Sequence, residues 1–136
     1  MAVTALPIFP QTPRLPVGVT VTTANTNKDG TGTKTILYTA GANGSRLDTI
    51  KVRSTGTAVA TVLRVFINNG TDHTVATNNS LYTEATIAAT TVSETSALPD
   101  YIIPINLSLP ASYRAFVLIG TTVAAALQVS ATGGDY

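Results

Sequence analysis

Residues 47 to 54 read LDTIKVRS. Ile50 and Val52 fall on one side of an extended chain, and Thr49, Lys51 and Arg53 fall on the other. Successive side chains of a strand point to opposite faces, so this stretch predicts a half-buried antiparallel strand, apolar inward and charged outward.

The same reading extends in both directions. Gly56 marks a turn, and residues 58 to 68 form the longest strand candidate. Val59, Thr61, Leu63, Val65 and Ile67 share one expected face there, with Arg64 and Phe66 opposite. Asn69-Gly70 closes that strand with a hairpin signal, and Asn43-Gly44 upstream carries the signal of a type I′ turn. Earlier strands are expected over residues 34 to 39 and 17 to 23, separated by the turn-rich ANTNKDGTGT of residues 24 to 33. Downstream, residues 81 to 89 read as strand in preference to a helical turn. Residues 101 to 109 are interrupted by Pro104, which predicts an edge or bulged strand. Residues 113 to 119 and 123 to 131 form a last pair around Gly120-Thr121. No stretch of useful length shows the helical period. The expected fold is all-β, a β-sandwich or jelly-roll-like domain of about eight strands spanning residues 17 to 136.

Composition agrees with this pattern. Charged residues make up 11% of the 136, against about 25% in an ordinary globular protein. Thr, Ala, Val, Ser and Asn take their place, and the β-branched members favour a pleated surface. Cysteine is absent, which removes disulfides, thiol chemistry and Cys-based zinc sites. A formal net charge of +1 is too small for a nucleic-acid footprint. It also gives weak colloidal repulsion, so self-association or life within a larger assembly is expected. The start, MAVTALPIFPQTPR, lacks a basic segment followed by an apolar core, so no signal peptide is expected. No apolar run approaches the ~18 residues of a membrane helix.

Prolines at 7, 10, 13 and 16 predict an extended arm over residues 1 to 16. The arm carries Ile8, Phe9 and Leu15, apolar residues out of place in a free linker. It lies on a neighbouring molecule or on its own domain, or it is a disordered tail. Ile8, Phe9 and Arg14 are the residues expected to touch a partner.

No constellation predicts catalysis, a cofactor or a metal. His73, the single histidine, sits in GTDHT beside a turn and is expected to be a water-exposed loop residue. A catalytic role would need an orienting acid and a nucleophile, and Asp72 next to it points the other way on an extended chain. Asn25, Asn27 and Asp29 stand at alternating positions like calcium ligands, but no acidic residue closes the loop, so a plain turn is favoured. GTGT lacks the lysine and helix of a phosphate loop. Arg64 and Arg114 lie within apolar strands and are expected to point outward from a sheet or into an interface.

ANTNKDGTGT at 24 to 33, YTAGANGSRLDTIKVRSTGT at 38 to 57 and the GGDY of 133 to 136 resemble segments of small phage virion structural proteins of the capsid decoration, or cement, type. The resemblance covers roughly residues 24 to 57 and 133 to 136, and its motifs are turn and strand signatures, not chemical ones. It implies a virion protein that binds the major capsid protein or another virion protein, assembled in the host cytoplasm, as a homo-oligomer with a trimer suited to a shell site of matching symmetry. The low net charge and the absence of a membrane-length apolar run separately predict no nucleic acid or membrane partner. The alternative is a carbohydrate- or receptor-binding β-sandwich of a tail or fibre, with Tyr82, Tyr101 and Tyr113 as platforms. Few aromatic residues, 6% of the chain and no tryptophan, weigh against it.

Overall fold

The computed structural model describes residues 9–14, 18–125 and 127–136. Its regular structure is β throughout, apart from one 3-10 turn at Ala76–Asn78. The strands are β1 (Thr12–Arg14), β2 (Val19–Val21), β3 (Thr35–Thr39), β4 (Ser45–Ser54), β5 (Thr61–Asn68), β6 (Asn79–Ile87), β7 (Asp100–Leu109), β8 (Arg114–Ile119) and β9 (Leu127–Asp135). One sheet runs β2-β9-β4-β7, with β1 also paired to β9, and the other runs β3-β8-β5-β6. All these pairings are antiparallel.

Of the strands from β2 to β9, only β5 and β6 are neighbours both in sequence and in a sheet. Each other connection crosses from one sheet to the other, which is jelly-roll connectivity. The Asn43-Gly44 signal is therefore not a hairpin turn. It carries the chain from β3 in one sheet to β4 in the other, and only Gly44 takes a positive φ, of 87°, where a type I′ turn needs two such residues. Asn69-Gly70 does lie in a hairpin, but the connection runs from 69 to 78 and includes the 3-10 turn.

The ninth strand, β1, lies within the segment expected to be an arm. β1 and β2 sit along the same side of β9: Arg14 faces Gly133 and Val19 faces Val129, five positions on against four. Both lie at the edge of the sheet, in registers that differ by one residue, and Pro13 is tolerated because an edge position can spare an N–H. Thr12–Arg14 of that segment thus pairs with residues 133 to 135 of β9.

The core lies between the sheets. Ile50 and Val52 of β4 are fully buried, as the alternation predicts, and face inward with Leu127 and Val129 of β9. Leu63 and Val65 of β5 meet them from the other sheet beside Val117 and Ile119 of β8. Ile67 packs only partly against this core, and Val59, at 54% exposure, stands outside it because β5 begins at Thr61.

Phe66 departs from expectation. It points away from the main core yet is 1% exposed. Its ring stacks on Phe116 with centroids 5.5 Å apart and planes 5° off parallel, and Leu118 completes this second cluster. The loop between β2 and β3 covers the pair. Gly30, at φ 80°, lies so close that a Cβ there would stand 3.0 Å from the Phe66 ring and 2.9 Å from Asn79 Cβ. The Lys34 ammonium sits 4.6 Å above the Phe116 ring and donates to the carbonyls of Gly30 and His73, tying two loops together over the aromatics. Burial lowers the Lys34 pKa, with the charges of Asp29 and Asp72 opposing.

Candidate partner-binding surface

Two of the three motif stretches, the TAGANGS turn and GGDY, meet where β1 pairs with β9. Gly133 and Gly134 are there for want of space. A Cβ on Gly133 would fall 2.0 Å from the carbonyl oxygen of Arg46 on β4, and one on Gly134 would fall 2.6 Å from Pro10 Cβ and 2.8 Å from Thr12 O. The two glycines let β4 and β1 close on β9 from opposite sides.

Asp135 follows them. Arg14 Nε donates to both carboxylate oxygens at 3.1 Å, and its Nη2 donates to Oδ2 at 2.9 Å. The Ser45 hydroxyl donates to Oδ1, and Ser45 in turn accepts the Gly41 N–H at 3.0 Å. The Arg14 guanidinium lies 4.6 Å over the ring of buried Tyr38. Burial pushes the Asp135 carboxyl up, but the hydrogen bonds from Ser45 and Arg14, the Arg14 charge and the Gly41 N–H outweigh it and hold its pKa below the ordinary value. Burial raises the Tyr38 phenol above its ordinary value, with Ser45 and Arg14 opposing and the Asp135 charge adding to it. The cluster joins residues of the arm, the TAGANGS turn and GGDY, and nothing local in any of them announces the others.

No family model, curated protein or solved structure matches the chain.

The surface beside the cluster is where the arm leaves the sheet. The Gln11 N–H donates to Asp135 O at 2.8 Å, so the chain is held up to that residue. Phe9, two residues earlier, is 69% exposed. It borders a shallow groove with Pro10, Arg46, Asp48, Ser108 and Tyr136. Tyr136 is fixed by its N–H to Gly44 O at 3.1 Å and by its hydroxyl to Ser108 at 2.9 Å, and Arg46 pairs with Asp48 at 3.0 Å. Of the three residues expected to touch a partner, Phe9 is presented to solvent, Arg14 is engaged within its own domain by Asp135 and Tyr38, and Ile8 lies outside the described residues.

The remaining candidates resolve into structural contacts. His73 lies in the 69–78 loop as expected, but it is half-buried, its Nδ1 has no hydrogen-bond partner, and its carbonyl accepts from Lys34 and Asn79. Asp29 Oδ1 accepts the Thr31 N–H at 2.9 Å and the Thr31 hydroxyl at 2.6 Å, and these bonds lower its pKa. Asn25 is buried and turns its amide to the carbonyls of Thr31 and Thr33. Thus Asn25 and Asp29 brace their own loop. Among the described residues, no group of three His, Asp or Glu side chains gathers. Arg64 reaches Glu84 on β6 at 2.7 Å, and Arg114 reaches Asn68 Oδ1 and Thr71 O at 3.0 and 2.9 Å. Of the tyrosines, Tyr82 donates to Ile105 O at 2.9 Å and Tyr101 accepts the Ala88 N–H at 3.0 Å, so both link the two sheets along the β6–β7 side.

Proposed function

We propose that this chain is a virion structural protein, a capsid decoration (cement) subunit that binds the major capsid protein or another virion protein and acts as a homo-oligomer, a trimer in the first instance, on a particle assembled in the host cytoplasm. The observation that carries the reading is the exposed Phe9 on a segment pinned by Arg14 and Asp135. An aromatic side chain next to a fixed point loses little freedom on docking, so its burial counts toward affinity. The motif resemblance and the jelly-roll connectivity point the same way. That fold also serves lectins and cupins, so the fold contributes by analogy only. The carbohydrate-binding alternative relies on tyrosine platforms; Tyr101 and Tyr113 are partly buried against the core, which leaves Tyr82, at 43% exposure, as the single open ring of the three.

Mass spectrometry and electron microscopy of purified particles test the assignment. Density for this domain at repeated, symmetry-related sites on the shell supports it. Absence from the particle, or confinement to a fibre tip with glycan binding, overturns it.

A further inference from the structure

The chain holds two Asn-Gly pairs, and the fold treats them oppositely. In such pairs the glycine nitrogen can attack the asparagine side-chain carbonyl, because glycine has no side chain to obstruct the ring that forms.

At Asn69-Gly70 the reacting groups are tied down. Asn69 Oδ1 accepts the Thr71 N–H at 3.2 Å and the Thr71 hydroxyl, and its Nδ2 donates to Asn78 Oδ1 at 3.4 Å. The Asn69 N–H donates to Asn78 O at 3.0 Å, and the attacking nitrogen, that of Gly70, donates to Asn68 Oδ1 at 3.1 Å. Closing the ring there requires releasing the Gly70 N–H from Asn68 and turning the Asn69 amide out of its bonds to Thr71 and Asn78.

At Asn43-Gly44 the side chain is exposed and has no hydrogen-bond partner among the described residues. Gly44 is buried, its N–H donates to Gly41 O at 3.0 Å and its carbonyl accepts the Tyr136 N–H at 3.1 Å, so the contrast with Asn69 lies in the unbonded Asn43 side chain.

We propose that Asn43 is a site of spontaneous covalent modification and that Asn69, despite the same dipeptide, is protected by the fold. The Gly44 nitrogen forms a bond to Asn43 Cγ and loses its proton. The Cγ–Nδ2 bond breaks, and the proton leaves with the amide as ammonia, giving a five-membered succinimide. Water then adds at either ring carbonyl and breaks a ring C–N bond, giving aspartate or isoaspartate.

The position gives the change a consequence. The succinimide removes the Gly44 N–H and with it the bond to Gly41 O. Isoaspartate lengthens the backbone by one methylene between the Gly41 N–H and Ser45, the two groups stacked behind the Asp135 carboxylate. Modification at residue 43 therefore loosens the hold on Asp135, and with it the anchorage of β1.

The test is incubation of the native full-length protein at mildly alkaline pH, followed by tryptic mapping with enzymatic isoaspartate labelling. Cleavage after Lys34, Arg46, Arg64 and Arg114 places the two sites in separate peptides, 35 to 46 and 65 to 114. The expected result is isoaspartate accumulating in 35 to 46 while 65 to 114 stays unlabelled. The same protein unfolded in urea should label in both, and Asn43→Gln should lose the native signal. Equal or earlier labelling at Asn69 itself, located by fragmentation within 65 to 114, which also holds Asn68, Asn78, Asn79 and Asn106, or no native labelling of 35 to 46, overturns the proposal.

Discussion

Arg14 and Asp135 stand 121 positions apart and meet side chain to side chain, with three N–H···O contacts of 2.9 to 3.1 Å. The pair is partly buried, with side-chain exposures of 36% and 24%. It ties β1 to the end of β9, and Phe9, five residues before Arg14, is exposed.

Replacing either member leaves the other charge half-buried. Asp135→Asn and Arg14→Ala are each expected to cost about 1–3 kcal/mol in chemical denaturation. A double-mutant cycle should give a coupling above the ~1 kcal/mol ceiling of an ordinary surface pair. Additive losses would mean that the two side chains act separately.

The pair also sets an acid response. The folded pKa of Asp135 lies below its ordinary value of 3.8, so its contribution is complete above that value and is lost as pH falls through the lower folded one. Asp135→Asn lacks this titration. The stability gap between the native protein and the variant should therefore be widest at neutral pH and shrink as the pH falls below 3.8. A constant gap across that range in urea titrations would contradict the assignment.

The two glycines of GGDY should fail differently. Gly133→Ala drives a methyl into the β4 backbone at Arg46 and is expected to cost about 3 kcal/mol or more. Gly134→Ala meets Pro10 and Thr12, so it should displace β1 and leave the remaining sheet folded, at about 1–3 kcal/mol. Hydrogen exchange separates the two outcomes: global loss of protection for the first, and loss confined to β1 and its pairing partners on β9 for the second.

In β5, Leu63→Ala should cost about 2–5 kcal/mol and Phe66→Ala about 3–5, because both are buried, on opposite faces of the sheet. Val59→Ala should stay within about 0.5 kcal/mol, since that side chain is largely exposed. A large loss at Val59, or none at Phe66, would reverse the burial pattern.

These residues also show how far the chain could be read without coordinates. The alternation of Thr49 to Arg53 is local, and it correctly assigned the inner face of β4. Leu63 and Val65 were legible for the same reason. Phe66 was not, because its cover comes from Gly30 and Lys34, in a loop more than thirty positions earlier. Asn43-Gly44 misled because a turn signal does not say which sheet the next strand joins. The Arg14–Asp135 pair was invisible because two isolated charges so far apart carry no periodicity, and only the pairing of β1 with β9 brings them together.

On the function proposed above, the exposed Phe9 beside β1 is the side chain that docks on a particle. Full-length protein, Phe9→Ala and a deletion of residues 1 to 9 should be mixed with undecorated shells, and the bound copies counted at limiting concentration. Both variants keep Gln11 and β1 and should remain folded. Burying one side chain of this size is worth about 1.5–3 kcal/mol, so affinity should fall by about tenfold or more for Phe9→Ala, at about 1.4 kcal/mol per tenfold. The deletion should lose at least as much. Equal occupancy for all three proteins, with the domain folded in each, would contradict the claim and move the contact to another face of the sandwich.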